Sequence, residues 1–186
     1  MTVIVLSKYK GTYYLTGDGR CTARHHIASD EVTKVYKATG KRKVKGKITQ
    51  DEYIFGGAGC ASSEILIKKA LAKTRDPHKL QRLLKDSKEF KDHLVTTHCF
   101  VVTKKFGSYL LCIEPQGFLS SSYVAITIAW EDSSLPQVIG SGSHHVSALL
   151  SQYENPTPKV VEACIKQAYK VNCTIGGKIS SVDLKV

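Results

Sequence analysis

The 186-residue sequence holds six cysteines, at positions 21, 60, 99, 112, 164 and 173, and not one C-x-x-C pair. That spacing excludes the zinc clusters and thioredoxin-type motifs that paired cysteines announce. Reduced, buried thiols acting as small apolar side chains are expected instead. Seven histidines give no metal signal either. His25-His26 and His144-His145 are adjacent pairs, without the i,i+4 spacing of a helical ligand set. No metal and no cofactor are therefore expected. No stretch reaches the roughly 18 apolar residues of a membrane helix. The longest apolar run, Tyr123 to Trp130, has the length of a strand. The opening Met-Thr-Val-Ile-Val-Leu-Ser-Lys has no basic n-region and no small-residue cleavage site. The expectation is a cytoplasmic protein with no membrane partner.

Acid is in short supply: 16 Asp and Glu face 27 Lys and Arg, for a formal net charge of +11. The excess is uneven. Lys34, Lys37, Lys41, Arg42, Lys43, Lys45 and Lys47 fall in one acid-free segment. One reading is a patch for nucleic acid or an acidic partner. The other is a solvated hairpin tip. No aromatic residue follows Tyr36 within the cluster, as a base-stacking groove would need, so nucleic acid is not the favoured partner.

The chain length suits one domain, expected to span residues 2–186. Residues 2–7 and 12–16 read as strands around a Lys8-Tyr9-Lys10-Gly11 turn, and Gly17-Asp18-Gly19 as a second turn. The stretch to Tyr36 reads as extended or irregular, residues 38–47 as a protruding hairpin, and 53–55 as a resumed strand. Gly56-Gly57-Ala58-Gly59 breaks the pattern. From Ser62, Ile65, Leu66, Ala70 and Leu71 follow a helical stripe. Asp76 and Pro77 start a second helix carrying Leu80, Leu83, Leu84 and Leu94. Strands are expected at 97–103, 108–113 and 123–130. Gly140-Ser141-Gly142 opens a helix with Val146, Leu149 and Leu150. Thr157 and Pro158 open the last, with Val161, Cys164, Ile165 and Ala168, before a strand at 178–184. This order predicts an α+β fold: two stacked antiparallel sheets between helical layers, a four-layer α-β-β-α sandwich.

Five segments then carry a resemblance. Met1-Thr2-Val3-Ile4-Val5, Thr16-Gly17-Asp18-Gly19, Val32-Thr33-Lys34-Val35, Gly56-Gly57-Ala58-Gly59 and Ile139-Gly140-Ser141-Gly142 occur in the order and approximate spacing of the HslV and proteasome β-subunit family. The chain resembles this family of N-terminal-threonine Ntn hydrolases from residue 2 to about 150. The resemblance implies a threonine-type endopeptidase. Thr2 is the implied nucleophile once Met1 is removed. Asp18 and Lys34 are the implied buried pair beside it, Ser141 the serine near the terminal amine, and Gly59 the oxyanion glycine. Thr22 is implied to pair with the substrate strand. Cys21, Val32, Tyr36, Gly57 and Ala61 are the implied lining of a roomy, apolar P1 pocket. Implied partners are polypeptide substrates, sister copies in a homo-oligomeric ring or double ring, and an AAA+ unfoldase.

The chemistry is sound on its own terms. A threonine hydroxyl needs a base, and an α-amine titrating near about 7.7 to 8 can serve as one. A nearby ammonium would push that amine's pKa down, and Asp18 would hold Lys34 charged in place. Each residue also has a plainer reading. Thr2 fits an ordinary first strand, Asp18 a turn bonding its own backbone, and Lys34 the basic cluster. Gly56–Gly59 fits a strand-to-helix loop and Ser141 a helix cap. A phosphate cradle is disfavoured because the Walker lysine–Ser/Thr pair is absent.

Three features depart from the family pattern. Its Asp after the last helix has no counterpart in Tyr169-Lys-Val-Asn-Cys-Thr174. Residues 37–52 read as a basic hairpin insertion. A retained Met1 would leave the Thr2 nitrogen an amide. The alternative function is a non-catalytic assembly or binding protein of the same fold, whose basic hairpin contacts nucleic acid or an acidic partner.

Overall fold

The computed structural model describes residues 2–23, 26–44, 47–87, 96–116, 123–130 and 135–186. Met1, residues 45–46 of the expected 38–47 hairpin and Leu94 lie outside the described residues. In chain order the elements are β1 (Ile4–Tyr9), β2 (Thr12–Gly17), β3 (Cys21–Ala23), β4 (His26–Ser29), β5 (Val35–Val44) and β6 (Lys47–Ala58). Next come α1 (Ala61–Lys73), α2 (Pro77–Lys85), β7 (Thr97–Thr103), β8 (Gly107–Gln116) and β9 (Tyr123–Trp130). The chain ends with β10 (Gln137–Ile139), α3 (Ser143–Leu150), α4 (Pro158–Ala168) and β11 (Ser180–Lys185).

Local chemistry explains the boundaries. Lys10 and Gly11 have φ of 48° and 76°, the paired positive values of a two-residue hairpin turn whose twist matches its strands. The turn is therefore tighter than expected, and Lys8 and Tyr9 stay in register with Tyr13 and Thr12. Asp76 caps α2 by accepting from the His78 and Lys79 N–H groups, and Thr157 caps α4 through the Val160 N–H. Proline follows each cap, where its missing N–H costs nothing.

Two antiparallel sheets result, in the orders β10-β1-β2-β11 and β5-β6-β7-β8-β9, with β3-β4 as a separate ribbon. Several expectations change here. The segment between Gly17 and Tyr36 contains that ribbon. Residues 53–55 belong to an unbroken twelve-residue β6. Gly56, Gly57 and Ala58 remain in β6, opposite Phe100, Cys99 and His98, so the chain breaks only at Gly59. The short β10 was not expected. Three residues carry little periodicity, and pairing of Ile139 with Ile4 defines them as a strand.

Alternation along the strands sorts side chains into three apolar layers. Ile4, Leu6, Leu15, Val35, Ile54, Phe100 and Val102 fill the space between the sheets. Phe55, Cys99, Val101, Tyr109 and Leu111 face outward onto Ile67, Leu71, Leu80 and Leu84 of α1 and α2. On the opposite side, Val3 and Val5 meet Val146 and Leu150 of α3 and Val161, Cys164 and Ile165 of α4. The layers are helix, sheet, sheet, helix, as expected.

The β5–β6 hairpin outruns its neighbour. Its strands pair from Val35–Gly56 out to Val44–Lys47, while β7 reaches only Tyr53. Buried Arg75 anchors the root through Asp51 at 3.4 Å, and Lys104 meets Glu52 at 3.1 Å.

The layers predict a sharp contrast on α1. Ile67→Ala, at a fully buried position, should cost about 2–5 kcal/mol. Ile65→Ala, 54% exposed on the same helix, should stay within about 0.5 kcal/mol. Urea unfolding of both variants checks the layer assignment, and equal losses would contradict it.

Candidate active site

The end of β2 and the start of β1 meet side by side. Asp18 follows β2 directly and extends its pairing by one rung, its N–H donating to Val3 O at 3.2 Å. The side chain then turns back, and Oδ1 accepts the Val3 N–H at 2.9 Å. Lys34 extends β5 in the same way, its carbonyl accepting the Gly57 N–H at 3.3 Å. Its ammonium donates to Asp18 Oδ1 at 3.0 Å and to Arg20 O. The second Asp18 oxygen accepts the Gly176 N–H at 3.1 Å. Both charged side chains are buried.

Thr2 stands one residue from this pair. Its N–H donates to Ser141 Oγ at 3.1 Å, and its carbonyl accepts from the Gly142 N–H at 3.4 Å. Gly140 makes that approach possible. Its φ is 101°, and a Cβ there would stand 2.1 Å from Thr2 O. Only glycine fits that backbone and that gap. The same imagined atom would lie 3.4 Å from Ala58 Cβ, so the end of β6 also borders Thr2. Gly59, the next residue, has φ of 143°, and a Cβ would collide with Thr96 O and Thr97. It turns the chain from β6 toward α1.

Thr2, Asp18, Lys34 and Ser141 are thus brought together, with Gly59 next to the Ala58 border. The residues expected to line the pocket are arranged less uniformly. Tyr36 and Gly57 flank Glu64 of α1. A Cβ on Gly57 would lie 3.4 Å from Glu64 Cγ, and the Tyr36 hydroxyl donates to Thr33 O. Lys68 meets Glu64 at 3.2 Å and lies over the Tyr36 ring. The lining around Gly57 therefore includes a half-buried carboxylate, not apolar groups alone. Cys21 begins the β3–β4 ribbon opposite Ser29. Thr22 sits in the β3–β4 ribbon opposite Ile27. Val32 donates its N–H to Gly19 O, and Ala61 opens α1 at an exposed position.

Burial sets the electrostatics. It pushes the Lys34 pKa down, with Asp18 opposing through charge and hydrogen bonding. Burial likewise pushes Glu64 up, with Lys68 opposing. Three residues were not anticipated. Glu64 had a usable signal, lying three positions after Ala61 and four before Lys68 on one helix face. Asn172 and Thr174 join the site from the loop after α4, where Thr174 Oγ1 is 3.4 Å from Ser141 Oγ. Asn-x-Thr spacing signals only a local turn, which it also makes. Among the described residues no cluster of His, Cys, Asp and Glu could hold a metal ion, and no helix is long and apolar enough to cross a membrane.

Two stacked antiparallel sheets with a helical layer outside each make the four-layer sandwich of the Ntn-hydrolase fold. Comparison with solved structures gives the particular form. The crystal structure of eukaryotic HslV from Trypanosoma brucei matches with a TM-score of 0.70, over 100% of both chains, at 16% identity. The chain has the HslV-like, proteasome-type fold. No family model and no curated protein matches the sequence.

The buried pair gives two expected outcomes. Asp18→Ala strands the Lys34 ammonium in a dry setting and should cost about 3–5 kcal/mol in denaturant unfolding; a loss under about 1 kcal/mol would show that the pair is well solvated. The second concerns alkaline pH. With its folded pKa depressed, Lys34 loses its proton in the folded protein before it does in the unfolded chain. The unfolded state then binds more protons, so stability gains as pH climbs toward about 10.4, the unfolded value. The stability difference between the parent and Lys34→Met should shift in the parent's favour from pH 8 to 10. A flat or opposite trend would contradict the assigned burial.

Proposed function

We propose that the protein is a threonine-type endopeptidase of the HslV and proteasome kind, with Thr2 as nucleophile. The observation that carries this reading is the Thr2 nitrogen on Ser141 Oγ, one residue from a buried Asp18–Lys34 pair that bonds the Val3 N–H. Removal of Met1 frees the Thr2 amine. That amine takes the hydroxyl proton as Oγ1 attacks a peptide carbonyl, and returns it to the leaving amine. Water then hydrolyses the ester by the same proton route. Lys34 keeps the free amine from holding an extra proton, and Asp18 keeps Lys34 in place. The Gly59 N–H receives the developing negative charge. Thr22 pairs with the substrate strand, and Cys21, Val32, Tyr36, Gly57 and Ala61 surround the P1 side chain. The same reading takes residues 2–186 as one domain with a basic insertion at 37–52, working in the cytoplasm in a ring or double ring fed by an AAA+ unfoldase.

A second reading is favoured by one observation, the β5–β6 ribbon that projects past β7 with a run of lysines and arginine in its sequence. It takes the fold as a non-catalytic binding protein for nucleic acid or an acidic partner. Intact mass, active-site labelling and turnover separate the two. The peptidase begins at Thr2, is labelled covalently by an N-terminal-threonine inhibitor, and loses on the order of 10³-fold or more in activity on unfolded casein in Thr2→Ala. Casein hydrolysis equal to the parent's in Thr2→Ala excludes the mechanism. An unlabelled species retaining Met1, with salt-sensitive nucleic-acid binding, selects the second reading.

A further inference from the structure

We infer that Thr174 and Asn172 are positioning residues that hold the Ser141 hydroxyl with its lone pairs toward the Thr2 nitrogen, as an uncharged relay entering the site from the loop after α4. The inference rests on the reading of Thr2 as nucleophile.

Hydrogen-bond polarity fixes the relay, starting from its far end. Asn172 is anchored by its own N–H, which donates to Ala168 O in the last turn of α4 at 3.0 Å. Its Oδ1 lies 2.9 Å from the Thr174 N–H. A backbone N–H can only donate, so that end of the side-chain amide is the oxygen. Oδ1 also lies 2.6 Å from Thr174 Oγ1. An amide oxygen has no proton to give, so the Thr174 hydroxyl donates there. Its single proton is then committed, and toward Ser141 Oγ, 3.4 Å away, Thr174 offers only lone pairs.

The Ser141 proton consequently points to Thr174 Oγ1 or to Thr2 O, 3.5 Å away on the other side. Either choice leaves Ser141 lone pairs for the Thr2 N–H at 3.1 Å. The Asn172 Nδ2 group closes the circuit by donating to Ser141 O at 3.5 Å. Arg20 fixes the loop from outside, donating to Cys173 O at 2.8 Å while bonded bidentately to Asp30.

The consequence is electrostatic. The charged groups nearest the Thr2–Val3 backbone are Asp18 and Lys34, and they are bonded to each other. The relay adds dipoles but no charge. A carboxylate in place of the Asn172 amide would favour the ammonium form of a freed Thr2 amine, and the amide leaves that form unassisted. Ser141 accepts one amine N–H and thereby sets where the nitrogen lone pair points, which is the requirement for taking the Oγ1 proton.

The test uses the full chain prepared to begin at Thr2, with ¹⁵N-threonine for NMR titration of the terminal amine and a fluorogenic peptide for kinetics. Asn172→Ala and Thr174→Val should lower kcat about tenfold with KM within about twofold of the parent. Thr174→Ser should restore kcat to within about twofold, because the hydroxyl is retained. Asn172→Asp should move the amine's titration midpoint to higher pH by about 0.5 or more. An unmoved midpoint in Asn172→Asp overturns the relay, and so does an unchanged kcat in Asn172→Ala. So does a loss that appears equally in Thr174→Ser and follows melting temperature alone. If the parent cleaves no peptide, the peptidase reading falls, and the midpoint in Asn172→Asp still decides the relay.

Discussion

The Asp18 carboxylate binds three donors from three separate stretches of chain: the Val3 N–H, the Lys34 ammonium and the Gly176 N–H. An ionised carboxylate can only accept, and each of these groups can only donate, so the match admits no alternative polarity. Such a group is costly to bury alone and tolerable when paired and bonded on both oxygens. Its partners are themselves held by backbone pairing. Val3 and Asp18 form a rung beyond the β1–β2 hairpin, and Lys34 lies one residue before β5. The charge pair is therefore a product of the sheets, and it in turn ties the loop before β11 onto them.

That constraint reaches the rest of the site through small residues. Thr2 can lie under Ser141 because Gly140 puts no side chain against its carbonyl. Glu64 reaches β6 beside Gly57, where a Cβ would make only ordinary contact with its stem at 3.4 Å. Alternation does the rest. In residues 3–6, Val3 and Val5 turn to α3 and α4 while Ile4 and Leu6 turn between the sheets. The backbone at Thr2 is thereby fixed by packing on both faces, so its place does not depend on a single contact.

Most of this framework was legible in the sequence. Helix starts announce themselves in adjacent residues, as at Asp76-Pro77 and Thr157-Pro158, and a short hairpin turn needs only Lys10-Gly11. Thr2, Asp18, Lys34 and Ser141 stood in quotable segments whose order carried the resemblance. What was hidden depends on partners distant in sequence. Gly56-Gly57-Ala58 reads locally as a loop, and it is strand because β7 supplies its pairs. β10 exists because Ile4 lies opposite Ile139. Asn172 and Thr174 spell an ordinary turn, and nothing in six residues tells that the turn abuts a serine more than thirty positions earlier.

Lys34 shows how one residue type divides between two physical settings within a single run. It is the first base of an acid-free segment, and composition alone groups it with Lys37, Lys41 and their neighbours. In the fold it is buried against a carboxylate, while Lys37, three residues on, is exposed. The difference is position along β5. Near Val35 the strand is covered by the other sheet, and beyond Tyr53 its partner β6 pairs with no further strand among the described residues. β5 is also the edge of its sheet, and lysine on an edge discourages pairing with another chain. The basic excess of the ribbon thus has a structural reason that asks for no nucleic acid. Among the described residues, the lysine withdrawn from water is Lys34, whose partner Asp18 lies beside the first residues of the chain.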